Sequence, residues 1–109
     1  MAANTMLQSD DPKYAKWIVA QQYEWMELFL SKARDYGENE HTDLGLAGQY
    51  ADMSRKFRKL RRALWEGKQL AGEQPPEILM DLIGHCWITL YEIAKLAAEN
   101  EIDGVDNCD

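Results

Sequence analysis

Apolar residues recur along most of this chain at alternating spacings of three and four residues, the spacing of one face of an α-helix. Proline and glycine divide the pattern into three long segments. The first segment follows Pro12, which suits a first helical turn, and ends at about Tyr36, directly before Gly37. No stretch shows the period of two that is typical of a β-strand. The sequence therefore predicts an all-α fold with three long helices.

The first predicted helix carries two neighbouring apolar stripes. Their members are Tyr14, Ile18, Trp25 and Phe29 in one stripe, and Val19, Tyr23, Met26, Leu30 and Ala33 in the other. Together the stripes cover a broad arc of the helix surface. We expect this arc to be buried, and its width indicates contact with more than one partner helix.

The second and third predicted helices each carry one apolar stripe. The second has Leu46, Tyr50, Met53, Phe57, Leu60 and Leu64. The third opens at Pro75 and has Leu79, Leu82 or Ile83, Cys86, Leu90, Ile93 and Ala97. A chain of this size buries only about two-thirds of the surface that its unfolded form exposes. We therefore expect a helical bundle that is completed by homo-oligomerisation, as a dimer or a tetramer.

The same pattern predicts the domain boundaries. We expect a flexible N-terminus over 1–11, a single α-helical domain over 12–100 and a flexible acidic tail over 101–109. No apolar run approaches the roughly 18 to 20 residues that a membrane span needs, and the polar N-terminus lacks a signal-peptide core. Cys86 and Cys108 are too far apart in sequence for a metal-type cluster. These features predict a cytoplasmic protein without a membrane partner.

Charge is distributed unevenly along the chain. The net charge of -7 argues against binding nucleic acid over the whole surface. Nevertheless the stretch 55–68, RKFRKLRRALWEGK, is strongly basic. Helical spacing places Lys56 and Lys59 on one face, and Arg58, Arg61 and Arg62 nearer Trp65. These cations could form a solvated face, bind a triphosphate or bind a nucleic-acid backbone with Trp65 as a stacking platform; the net charge makes the last the least favoured.

Two helices carry closely spaced carboxylates. Glu24 and Glu27 are three residues apart on the first helix, and Glu77 and Asp81 are four apart on the third. Carboxylate oxygens are the ligands that Mg²⁺ prefers, and a metal held this way activates water and screens phosphate charge. The alternative for such pairs is solvated surface charge.

Asp81 is the most unusual of these carboxylates, because it interrupts the otherwise apolar run EILMDLIGHCW. An unpaired buried charge is costly, so such a group is expected to be paired, bound to a metal or turned outward to water. His85 follows four residues later, without a second His or Cys at the spacing of a metal site. It is better explained as a hydrogen-bonded or exposed histidine than as a ligand.

Three short motifs in order give the chain a resemblance to a known family. They are KARDYGE at 32–38, SRKFRKLRRAL at 54–64 and PPEILMDLIGHC at 75–86. Over roughly residues 14–97 the chain resembles the small, phage-associated branch of the MazG-like all-α nucleoside triphosphate pyrophosphohydrolases. More narrowly, it resembles the nucleotide-modification-associated domains with a K-x-x-D-Y-G signature.

The resemblance implies an Mg²⁺-dependent enzyme, with Mn²⁺ as a substitute, that cleaves a (deoxy)nucleoside triphosphate into pyrophosphate and a monophosphate. It would act in nucleotide-pool control or nucleotide modification, in the host cytoplasm if phage-encoded. Carried over from the family, Glu24 and Glu27 would be catalytic and would bind the metal together with Glu77 and Asp81. The substrate side would be Lys32, Tyr36, Arg55, Lys56 and Lys59.

The chain departs from the family pattern at two positions. Tyr23 stands where the leading glutamate of E-E-x-x-E is common, and Glu77 and Asp81 are separated by one residue more than in E-x-x-D. Fewer carboxylates could hold one metal ion rather than two, or none well enough for turnover. Two alternatives therefore stay open: a nucleotide-binding relative without hydrolysis, and a noncatalytic helical protein that binds and modulates another protein.

Overall fold

The fold is entirely helical in the described part of the chain. A computed structural model describes residues 6–42 and 45–103, and the side chains of 6–37 and 45–100. Within these ranges there are three α-helices and no strand: α1 is Lys13–Thr42, α2 is Gly45–Leu60 and α3 is Pro75–Asp103. A π-helical segment, Arg61–Trp65, extends α2. This confirms the predicted all-α class. No helix in the described ranges has the length and apolarity needed to cross a membrane.

The chain divides into two compact units, Met1–Gly37 and Glu38–Asp109. The first contains α1 as far as Gly37, and the second contains α2 and α3. Before α1, the segment predicted to be flexible forms a turn, in which the Asp11 N–H donates to the Gln8 carbonyl at 3.1 Å. Residues 1–5 of that predicted N-terminus and residues 104–109 of the predicted tail lie outside the described residues, whereas 101–103 are helical.

Gly37 interrupts α1 where the sequence predicts that the first helix ends, but α1 continues to Thr42. Its φ of 77° and ψ of -174° are not helical, and the backbone becomes helical again before Thr42. This combination of angles is essentially restricted to glycine, because a Cβ atom would clash with the backbone. The local conformation of the K-x-x-D-Y-G motif therefore depends on its glycine.

The prediction that the apolar arc of α1 is buried is wrong. Tyr14, Ile18 and Tyr23 have exposed fractions of 71%, 41% and 57%, and Met26 and Leu30 are each 40% exposed. Trp17 and Trp25 contact each other in an edge-to-face arrangement, with ring centroids 5.9 Å apart. The physical reason is that the described residues of the first unit contain no other helix or strand against which α1 could pack.

Helices α2 and α3 form an antiparallel hairpin. Side-chain pairs fix the direction, because Lys56 contacts Asp81 whereas Gln49, earlier in α2, contacts His85, later in α3. The hydrophobic core is small: Leu60, Ile78 and Leu82 are buried, with Met53 and Leu70 packed against them. The α2 residues that face α3 are thus spaced by four, three and four, the spacing of a coiled-coil seam.

One half of a capping box begins α3. Glu77 lies three residues after Gln74, and its Oε1 accepts the backbone N–H of Gln74 at 3.0 Å. This contact satisfies one of the backbone donors that a helix N-terminus otherwise leaves without a partner. Pro75, at the first helical position, has no N–H to satisfy.

The face of α3 that packs on α2 differs from the predicted stripe by about one residue. The buried positions are Ile78, Leu82, His85 and Glu92. By contrast Leu79, Leu90 and Ile93 of the predicted stripe are 43%, 63% and 50% exposed. The reason is that α2 presents Gln49 and Lys56 toward α3, and the polar residues of α3 are the ones that can pair with them. Leu79, Leu90 and Ile93 are thus left outside the hairpin, whereas Leu82 lies in its core and the Cys86 Sγ contacts the Met53 Sδ at 3.9 Å.

Candidate polar site between the second and third helices

Asp81 is held by a buried lysine. The Lys56 Nζ lies 3.0 Å from the Asp81 Oδ2, and the two side chains are 9% and 21% exposed. Lys56 reaches this position because it shares the inner face of α2 with Leu60, one turn further along. Of the three explanations for a carboxylate in an apolar run, the structure supports pairing. The pair is also a direct contact between two residues that the resemblance implies for the site.

Glu73 joins this pair to a second lysine. Its Oε2 lies 3.6 Å from the Lys56 Nζ, and its Oε1 lies 3.4 Å from the Lys59 Nζ. The glutamate comes from the connector between the helices and is about one-third exposed. We call Lys56, Lys59, Glu73 and Asp81 the lysine–carboxylate cluster. In it, two ammonium groups converge on the two oxygens of one anionic group at the edge of the hairpin.

A second polar pair lies deeper along the same seam. The Nδ1 of His85 and the Oε1 of Gln49 are 2.7 Å apart, and both residues are buried. Because an amide oxygen only accepts, the His85 Nδ1 carries a hydrogen and donates it. The His85 Nε2 faces the Asp52 Oδ2 at 3.9 Å. His85 is therefore a hydrogen-bonded histidine of the helix interface, in agreement with the sequence-based expectation.

The structure brings together three of the residues that the resemblance implies for the site: Lys56, Lys59 and Asp81. Arg55 is exposed on α2 and pairs with Asp52 at 3.5 Å. Glu77 is exposed and caps α3. The others lie exposed on α1, in the first unit, and are Glu24, Glu27, Lys32 and Tyr36.

The donor set for a divalent cation is not assembled in the described residues. No group of three or more His, Cys, Asp or Glu side chains there is placed to hold a metal ion. Asp81 faces an ammonium group and Glu77 faces a backbone amide. These two carboxylates, as they stand, do not fit Mg²⁺, which needs several oxygen ligands.

Sequence reasoning missed two members of this arrangement. Glu73 lies in a connector without periodicity, so no pattern indicates that it contacts α2. Gln49 carries a usable signal, because it begins the four-three-four spacing that continues through Met53, Lys56 and Leu60. A polar residue on such a seam is expected to find a polar partner on the facing helix.

One further charged pair lies away from this site on α3. Glu92 is 6% exposed, and its Oε2 lies 3.5 Å from the Lys95 Nζ without forming a hydrogen bond. The Glu92 carboxylate raises the pKa of the exposed Lys95 above its ordinary value. This pair is separate from the lysine–carboxylate cluster in sequence, and we assign it no part in the site.

Comparison with known proteins identified no relative of this chain. A scan against protein-family models, a search of curated proteins and a search of solved structures each found no match.

Proposed function

We propose that this chain is a nucleoside triphosphate pyrophosphohydrolase that releases pyrophosphate and a (d)NMP and acts in nucleotide-pool control or nucleotide modification. The reaction type, the requirement for Mg²⁺ or Mn²⁺, a homo-oligomeric state and a cytoplasmic location come from the sequence pattern and the family resemblance. In this proposal the lysine–carboxylate cluster binds the substrate phosphates. The sequence-based expectation that Glu24, Glu27, Glu77 and Asp81 are the catalytic and metal-binding carboxylates stays a prediction. Metal binding would require Glu77 to leave the Gln74 N–H and Asp81 to leave Lys56.

The observation that carries the proposal is the position of Glu73 between two lysines. The Glu73 carboxylate already forms ion pairs with Lys56 and Lys59, at 3.6 and 3.4 Å. A phosphate group offers the same charge and acceptor chemistry with more oxygens, and lysine binds it as a compact point charge. Glu73 therefore occupies the place that a substrate phosphate would take, and the phosphate would have to displace it.

The activity test is an incubation with canonical and modified dNTPs and NTPs, with and without Mg²⁺. Pyrophosphate and orthophosphate are assayed separately. We expect Mg²⁺-dependent release of pyrophosphate and monophosphate from at least one substrate. Orthophosphate alone would contradict cleavage between the α and β phosphates, and no release from a folded helical sample would contradict the enzyme.

Variants of the cluster test its role in substrate binding. Lys59→Gln should raise KM about tenfold, because it removes a charged donor to the phosphates. Glu73→Gln should lower KM, because it removes the competing negative charge. Lys68→Gln is the matched control, since Lys68 pairs with Glu66 outside the cluster at 3.3 Å. If Lys59→Gln and Glu73→Gln leave KM at the control value, the cluster is not the phosphate site.

The exposed apolar stripes favour a second candidate, a noncatalytic protein that binds another protein through helical faces. On α2 the exposed positions Tyr50, Phe57 and Leu64 are spaced by seven and are 71%, 61% and 63% exposed. Apolar residues repeated on one face are typical of a helix that packs against a partner. This candidate predicts no metal-dependent release across the substrate panel.

A further inference from the structure

The end of α2 carries a second cationic surface, separate from the lysine–carboxylate cluster. Arg58 and Arg62 are four residues apart and both exposed, so their side chains emerge from the same face of the helix. Lys56 and Leu60, which alternate with them, are buried against α3. The two arginines therefore point away from the hairpin interior and from the ion pairs that Lys56 makes there.

These two guanidinium groups are not neutralised by carboxylates in the described part of the chain. By contrast, the neighbouring arginines are paired with carboxylates. Arg55 pairs with Asp52 at 3.5 Å, and Arg61 pairs with Glu66 at 3.5 Å. No ion pair joins Arg58 or Arg62 to any described carboxylate, although the whole chain has more acidic than basic residues. Two planar donors, each able to hold an oxyanion with two hydrogen bonds, are thus left facing solvent one turn apart.

An exposed indole follows the two arginines closely in the chain. Trp65 ends the π-helical segment, three residues after Arg62, and is 82% exposed. It has the largest exposed fraction among the big apolar side chains of the described residues. Burial of such a ring is strongly favourable, and both of its faces are large flat apolar surfaces. Its high exposure marks it as a contact residue, because a tryptophan at this helix end contributes little to the hairpin core.

We propose that the face formed by Arg58, Arg62 and Trp65 binds single-stranded nucleic acid. The two guanidinium groups would contact neighbouring phosphates, and a base would stack on the Trp65 indole. The charges are complementary, and the 5–6 Å between side chains one turn apart, on the order of a strand's phosphate spacing, lets both arginines contact one backbone. A stacking platform beside a cationic track is the arrangement by which proteins bind single strands without sequence preference.

A single strand fits this face better than a duplex or an acidic peptide does. In a duplex the bases are stacked within the helix and cannot reach the Trp65 ring, so the indole would add nothing. An acidic peptide would satisfy the arginines, but it offers no flat aromatic ligand for the indole. The net charge of -7 disfavours a long polyanion elsewhere on the surface, so binding is confined to this face and is sensitive to salt.

The test is fluorescence anisotropy with a labelled oligothymidylate of about one dozen nucleotides, titrated with the full chain at several salt concentrations. Arg58→Gln/Arg62→Gln should weaken binding at least tenfold at low salt. It should also reduce the slope of log K against log salt by about 1.4, because each single-strand phosphate contributes about 0.7. Trp65→Ala should weaken binding about 5- to 150-fold at every salt concentration, with little change in slope.

A charge-matched control separates a local site from net charge. Lys13→Gln/Arg34→Gln removes two exposed cations from α1 and should leave affinity within about twofold, because neither residue belongs to the proposed face. Helical circular dichroism of every variant checks that it is folded.

Several outcomes would overturn the proposal. Equal losses of affinity in the two double variants would show a nonspecific charge effect. Wild-type affinity in Arg58→Gln/Arg62→Gln or in Trp65→Ala would show that the substituted residues are not part of the binding site. Absence of binding at low salt would dismiss the nucleic-acid ligand. Equal binding of polyglutamate of the same charge would assign the face to acidic proteins instead. None of these results depends on pyrophosphohydrolase activity.

Discussion

At the scale of single residues, Lys56 and Asp81 form the shortest ion pair of the α2–α3 seam among the described residues. Each is charged and largely removed from water, and each is within 3.0 Å of the other. Such a pair is weak evidence for added stability, because its attraction is offset by the desolvation of both charges. Removing one partner is different, since the remaining charge stays in a poorly solvated position.

We therefore predict that Asp81→Asn lowers the free energy of unfolding by about 2 kcal/mol, because it leaves the Lys56 ammonium with a neutral amide and with only one carboxylate, the more distant Glu73. Urea unfolding followed by circular dichroism measures the change. The paired substitution Lys56→Met/Asp81→Leu should restore stability to within about 1 kcal/mol of the wild type.

The stabilities of these two variants are also needed to interpret any activity measurement. Loss of turnover in Asp81→Asn alone would not separate a metal ligand from a structural partner of Lys56. If Asp81→Asn proves as stable as the wild type, Lys56 does not depend on this carboxylate, and the metal-ligand role of Asp81 is strengthened.

At the scale of helices, Glu77 is a side chain to which two different roles are assigned. In the structure it forms one half of a capping box with the Gln74 N–H at 3.0 Å, whereas the family resemblance assigns it to a metal. The two roles differ in their tolerance of a neutral amide. A glutamine oxygen can still accept the Gln74 N–H, but it is a poor ligand for Mg²⁺.

We predict that Glu77→Ala destabilises the chain by about 1 kcal/mol, whereas Glu77→Gln costs less than about half of that. Thermal and urea unfolding of both variants provide the measurement. A role in the metal site would appear separately, as Glu77→Gln protein with wild-type stability that needs a higher Mg²⁺ concentration for turnover. Equal stability of the alanine variant and the wild type would contradict the capping role.

The helices also show how far the sequence alone could lead. The three segments and the break at Gly37 were predictable, because glycine, proline and the helical period act locally. The rotation of α3 was not, because Leu79, Leu82, Leu90 and Ile93 are all apolar and periodicity cannot rank one apolar stripe above its neighbour. The decisive interactions are the pairs of Lys56 with Asp81 and of Gln49 with His85, which join residues far apart in sequence.

The candidate site was predictable to a smaller extent for the same reason. Lys56, Lys59 and Asp81 were expected from short motifs, and they do meet. The contact of Glu73 with both lysines depends on the path of a connector that has no periodicity. The expected carboxylate set spans the two units, and sequence spacing defines the face of a helix but not the distance between helices.

At the scale of the whole molecule, the balance of exposed and buried apolar side chains is unusual for a monomer. Only Leu60, Ile78 and Leu82 form the buried hydrophobic cluster of the described residues. Meanwhile large apolar side chains repeat along exposed faces of all three helices. A monomer with so small a core would gain little from burial, and a second copy could supply the missing partner surface.

We predict that the protein self-associates and that its midpoint of thermal unfolding rises with protein concentration. Leu90→Glu, at a position 63% exposed on α3, should shift the protein toward monomer in sedimentation velocity and lower that midpoint. Glu99→Lys, an exposed charge change on the same helix, is the control and should leave association unchanged. A monomeric wild type at all concentrations would contradict the expected homo-oligomer.

Gly37 has a consequence for mutational tolerance. Apart from its chain neighbours and the backbone of its own helix, no described atom comes within 4 Å of the point where its Cβ would be, so packing against other parts of the described chain would not exclude a side chain. Its φ of 77° and ψ of -174° nevertheless exclude almost every residue except glycine. In a saturation scan, this exposed position should therefore accept fewer replacements than the buried Ile78 does. A solvent-exposed residue would then tolerate substitution as poorly as the most restricted position of a hydrophobic core.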